Sequence, residues 1–166
     1  MTTTRPTIWW AIPLVAIAAC FLSPCALAQS QTAVTGAGGG VFPSGTSFNG
    51  VSLSGLTFGM GAVNLTADGT ANGAFESTLT GTSATGLTRN IVVVGKPTSG
   101  SGNAGGPATY SGLCSIDPGD GTPALTAVPF TVTVATLSNG KWGLTLNLGT
   151  TQLPAATVNT GSITIK

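Results

Sequence analysis

Apolar and hydroxyl-bearing residues alternate with a period of two from Val128 to Leu148, and this pattern limits the chain to extended structure. Val128, Phe130, Val132 and Val134 point one way, with Pro129, Thr131 and Thr133 opposite. Beyond Asn139-Gly140, Trp142, Leu144, Leu146 and Leu148 alternate in the same manner with Gly143, Thr145 and Asn147. Two such runs across an Asn-Gly pair predict a β-hairpin, because both central positions of its tight turn require positive φ. We expect this hairpin at the centre of a sheet. No stretch of the mature sequence has the 3.6-residue period of an amphipathic helix.

The same form recurs upstream. Leu87, Arg89, Ile91 and Val93 face one way and Asn90, Val92 and Val94 the other, which predicts a strand covered on both faces. Asn72-Gly73 introduces a strand with Phe75, Ser77 and Leu79 on its apolar side. Phe58, Met60 and Ala62, followed by Val63 and Leu65, shift phase near Gly61, as a bulge or bend does; Asp68-Gly69 supplies the next turn. Ala108, Tyr110, Gly112 and Cys114 define another strand, and Ser162 to Lys166 a short final one. Residues 29–40 are rich in Gly and Thr and predict a flexible arm. Pro97 to Pro107 predicts a long mobile loop. The fold class that follows is all-β: an antiparallel β-sandwich or small β-barrel of about eight strands. No fixed repeat length supports a β-solenoid or an ice-binding Thr ladder.

Ahead of this domain, Arg5 and the apolar run from Ile8 to Leu22 read as an export signal helix, with cleavage after the small-x-small triplet ending in Ala26 and Ala28. Pro13, Ser23 and Pro24 interrupt the run and argue against a retained membrane anchor, which needs about 20 apolar residues. A second reading makes Cys20 the acylated cysteine of a lipoprotein, since Ile17-Ala18-Ala19-Cys20 resembles a lipobox. The expected organisation is a signal peptide over residues 1–28, the arm over 29–40 and one β domain over 41–166.

Removing the signal leaves Arg89, Lys96, Lys141 and Lys166 against Asp68, Glu76, Asp117 and Asp120, a net charge of zero. Scattered cations of this number do not form a nucleic-acid patch, and anionic lipid is an equally poor partner. Positive mean hydropathy separates the chain from disordered sequences, which combine low hydrophobicity with high charge. The surface is then Thr, Ser, Asn and Gly, and near-zero charge lowers the barrier to self-association. Cys114 is left alone, so no internal disulfide forms; a small apolar residue on the inner face of a strand is its plainest role.

The chain has no histidine, which removes Ser-His-Asp and Cys-His catalysis and His-ligated zinc. A carboxylate pair is the remaining common hydrolytic device, yet the spacing of the four acids selects no pair. Asp117-Pro118-Gly119-Asp120-Gly121-Thr122 is the one local cluster of acids. Asp117, Asp120 and Thr122 offer hard oxygen ligands for calcium on a Gly-bent loop, while Pro-Gly and Asp-Gly are equally strong turn formers. No other cofactor is suggested. Trp142 and Tyr110 could present a platform for sugars, although the parity of Trp142 with Leu144 and Leu146 favours the core. Asn64-Leu65-Thr66 fits the N-glycosylation pattern, which matters only in a eukaryotic secretory route.

Ala108-Thr-Tyr-Ser-Gly112, Pro129-Phe-Thr-Val-Thr-Val134, Gly143-Leu-Thr-Leu146 and Gly161-Ser-Ile-Thr-Ile165 resemble the strands of exported bacterial all-β domains of unknown function, of the type that follow choice-of-anchor modules in surface proteins. The resemblance covers the C-terminal third and implies a secreted or surface domain without known catalytic residues. The reading that follows is an exported, non-enzymatic β-domain with a structural or binding role at the cell surface or in the periplasm, associating with itself, another surface protein or a glycan. A small outer-membrane β-barrel and a carboxylate-pair hydrolase are the alternatives.

Overall fold

The computed structural model describes residues 31–166, and the residues read as an export signal, with Cys20, Ala26 and Ala28, lie outside them. The described residues form an all-β fold of ten strands joined in one antiparallel sheet. In chain order these are β1 (Gln31–Val41), β2 (Ser47–Phe48), β3 (Val51–Thr66), β4 (Ala71–Ser83), β5 (Thr88–Gly102), β6 (Ala108–Asp117), β7 (Leu125–Thr136), β8 (Trp142–Leu148), β9 (Thr151–Gln152) and β10 (Ala156–Ile165). None of the described residues is helical, and no helix among them is long and apolar enough to cross a membrane.

Neighbouring strands follow one another from β3 to β8, β10 pairs β8, and β1 pairs both β10 and β3. The hydrogen-bonded path therefore returns to its start. The contact between β10 and β8 is its narrowest point, two residue pairs long, at Ala156 with Leu144 and Thr157 with Gly143. The β7–β8 hairpin forms at the expected place, with Val132 opposite Leu146, but its turn is wider than a two-residue Asn-Gly loop: the Leu137 N–H bonds the Lys141 carbonyl, and of the pair only Gly140 takes positive φ, at 76°. It has no central position, because the path has no midpoint.

Residues 31–40 differ from expectation. They are not an arm but most of β1, which pairs with β3 from Gln31 opposite Thr66 to Val41 opposite Gly55, and with β10 along its other edge. A glycine-rich strand shows no side-chain alternation, and its stability comes from backbone pairing on both edges. Gly38 lies opposite Gly161, whose φ is 83°, and a Cβ on Gly38 would stand 2.1 Å from the Thr160 carbonyl oxygen. Only glycine lets the two backbones approach this closely.

The expected loop from Pro97 to Pro107 is also mostly strand. β5 continues to Gly102, pairing Gly100 with Tyr110 and Gly102 with Ala108, which leaves a short connection around Asn103–Pro107. The expected cover on both faces of this strand is absent as well: Ile91 and Val93 are buried, whereas Val94 is 50 % exposed. The phase shift near Gly61 appears as a register irregularity between Gly61 and Asn64, where Ala62 takes φ 41°.

The buried side chains form one core cluster on the inward face. At its heart Phe75 stacks on Phe130 at 5.9 Å between ring centroids and 11° between planes, and Tyr110 meets both edge-on. Space for the Phe130 ring comes from Gly95 on β5 and Gly112 on β6: a Cβ on Gly95 would lie 2.7 Å from the ring. Gly95→Ala is expected to lower the unfolding free energy by about 1–3 kcal/mol through overpacking. Combined with Phe130→Leu the two changes should cost less than their sum, and urea denaturation of the single and double variants checks this coupling.

Candidate functional site at the Asp117–Thr122 loop

β6 ends at Asp117, and the loop that follows turns back over the start of β5. Local chemistry shapes it. The Gly119 N–H donates to the Asp117 carboxylate at 2.9 Å, and the Thr122 N–H donates to the Asp120 carboxylate at 2.9 Å. Gly119 and Gly121 take φ values of 67° and 85° that L side chains rarely adopt. From β5, Arg89 reaches across and its guanidinium donates to the Gly119 carbonyl at 3.0 Å.

Beneath the loop lies a cleft of about 170 Å³, floored by Phe48, Val51, Ile91 and Ile116 and rimmed by Arg89 and Asp120. It has the composition of a small-molecule site, apolar below with polar groups at the edge, but is well short of the roughly 300 Å³ at which such sites begin. The Thr122 hydroxyl and N–H hold the Asp120 carboxyl below the usual carboxylate range, with the nearby Arg89 charge adding to the effect. Asp68 is lowered in the same way by the Thr66 hydroxyl and by the N–H and hydroxyl of Thr70. Both carboxylates thus serve their own turns.

Asp117, Asp120 and Thr122, the proposed calcium ligands, do share this loop. Their carboxylates already accept hydrogen bonds from the loop backbone, and a guanidinium occupies the Gly119 carbonyl that a cation would seek. No group of three or more His, Cys, Asp or Glu side chains gathers among the described residues. The other two acids lie elsewhere. Glu76 projects outward from β4, two strands from Asp117, and Asp68 sits in the β3–β4 turn at the opposite end of β5. Gly119 stands against Asn90 and Thr70 bridges to Ser99, so Asp68 and Asp120 are separated by about 30 Å of extended strand. That is far beyond the 5–9.5 Å or so of a glycosidase pair.

Tyr110 is wholly buried, so it does not present a surface platform, and Trp142 packs half-buried against the core. Burial pushes the Tyr110 phenol far above its usual range, and its hydroxyl has no hydrogen-bond partner among the described residues. Strand parity places Tyr110 inward; the missing partner is a property of the assembled interior and leaves no trace in the sequence. Cys114 is buried and its thiol is pushed up by that burial, which suits an apolar packing residue more than a nucleophile.

The chain matches no protein-family model, no curated protein and no solved structure.

Two outcomes follow. Tyr110→Phe removes a buried hydroxyl that has no partner among the described residues and should raise the unfolding free energy by about 1 kcal/mol in chemical denaturation. The lowered carboxylates of Asp68 and Asp120 favour the folded state above the unfolded-state pKa, and this contribution fades as pH falls from about 4 through their folded values. The thermal midpoint should decline over that acid window, and Asp68→Asn or Asp120→Asn should each flatten the decline.

Proposed function

We propose that this chain is an exported, non-enzymatic β-barrel domain with a structural or binding role at the bacterial cell surface or in the periplasm. Closure into a barrel is supported by the pairing of β1 with both β10 and β3. The observation that carries the functional reading is the polarity of the two faces. The inward face gathers large apolar side chains around Phe75, Tyr110 and Phe130. Uncharged polar residues lie in register on the outward face, as in Ser111, Thr131 and Asn147 or Thr109, Thr133 and Thr145.

A barrel spanning an outer membrane carries the reverse arrangement, an apolar band outside and a polar interior. The engagement of Asp68, Asp117 and Asp120 in hydrogen bonds of their own turns, with the absence of histidine, supports a role without hydrolytic chemistry. The export signal and the resemblance to exported bacterial β-domains support the location.

Expression of the full-length coding sequence in a bacterium, followed by fractionation and N-terminal analysis, tests the proposal. The chain should appear without detergent in the periplasm or medium and begin at Gln29. Detergent-dependent recovery from the outer membrane would favour the membrane barrel instead, and an acylated Cys20 would make the protein a tethered lipoprotein.

A further inference from the structure

We infer that the outward face of β4, β5 and β6, around Val94 and Leu113, is an interface between two copies of this chain. Of the five large apolar side chains that are exposed among the described residues (Val41, Leu87, Val94, Leu113 and Leu125), Val94 and Leu113, 50 % and 54 % exposed, lie on adjacent strands beside Ala74 of β4 and line one groove. Two open grooves share Val94 and Ala74. One, of about 570 Å³, is lined by Lys96, Leu113 and Cys114, and the other, of about 370 Å³, by Ala37, Met60 and Glu76. They form one continuous apolar depression with an acid on one side and a base on the other.

Two strained bends border this face. Ala62, at φ 41° in the irregularity of β3, lies beside Ala74 through the pair Gly61–Ala74, and Ala127, at φ 55° in the irregularity between β6 and β7, lines the larger groove. Positive φ at a residue other than Gly, Asn or Asp is uncommon and costs roughly 1 kcal/mol or more. Bulges of this kind bend the strand and re-aim neighbouring side chains.

Charge selects the occupant. Glu76 lies opposite Val94 on the neighbouring strand and Lys96 is two residues along from Val94, so both charges project on the same side of the sheet. A two-fold axis between them sets Glu76 of each copy against the partner's Lys96, and Leu113 against the partner's apolar floor. An isologous contact requires this self-complementarity, since the same patch must serve both sides. With net charge near zero after export, no long-range repulsion opposes the pairing.

The apolar and charged side chains that the contact draws on (Ala74, Glu76, Val94, Lys96 and Leu113) are far fewer than the roughly 20–30 residues a side of a standard interface. The association is therefore weak and concentration-dependent. This inference deepens the association reading above but rests on the described residues alone, so failed export would leave it standing.

Sedimentation equilibrium of the chain expressed from its full-length coding sequence, with reductant present, tests it from about 1 µM to 1 mM, a range set by the small interface. The mass should rise towards twice the monomer value. Leu113→Lys should abolish the rise. Glu76→Lys and Lys96→Glu should each weaken association about tenfold or more, and the double exchange E76K/K96E should restore it to within about threefold of the original, because a buried cross-interface pair is judged by its partner. Unchanged thermal midpoints separate these effects from misfolding. A monomer at every concentration, an unaffected Leu113→Lys protein, or a double exchange no better than its parents would overturn the proposal.

Discussion

Backbone pairing along both edges of β1 is the constraint on which the rest of the molecule depends. Without it β3 and β10 would each present a long open edge, and the core that they help to cover would face solvent. The strand that performs this task carries little side-chain mass: Gly36, Gly38, Gly39 and Gly40 make up much of it, and it succeeds because small residues let three backbones lie close together. Its contribution is almost entirely hydrogen bonding and exclusion of water from its neighbours. An edge paired in this way is also an edge removed from aggregation.

Small residues serve a second purpose inside. Gly95 and Gly112 make room for Phe130, and Gly100 and Gly102 face Leu65 and Tyr110 or Ala108. The inward positions thus alternate between large rings and bare backbone. On the outside lie hydroxyl rows, a small cleft beneath Arg89 and Asp120, and the Val94–Leu113 face.

Much of the candidate site could be read in advance. The Asp117–Thr122 turn, the inward orientation of Tyr110 and Cys114 and the β7–β8 hairpin all follow from local chemistry: Asx and glycine turn preferences and two-residue periodicity. The approach of Arg89 to Gly119 could not be read, because β5 and the loop after β6 meet only through strand pairing over a long sequence separation. The exposure of Val94 was equally hidden. Its apolar neighbours suggested cover on both faces, but only the packing of the sheet determines which apolar face goes without a partner.

Sequence alone determined that the chain is all-β, where its strongest strands alternate, where its turns fall, and that histidine-based chemistry is absent. Each of these depends on residue identity within a short window. Tertiary structure decided that residues 31–40 form a strand, that β5 runs on through a glycine- and serine-rich stretch, and that the sheet path returns on itself. Glycine-rich segments have no side-chain pattern to announce their state. Their conformation is chosen by the partners on either side, and those partners come from distant parts of the chain.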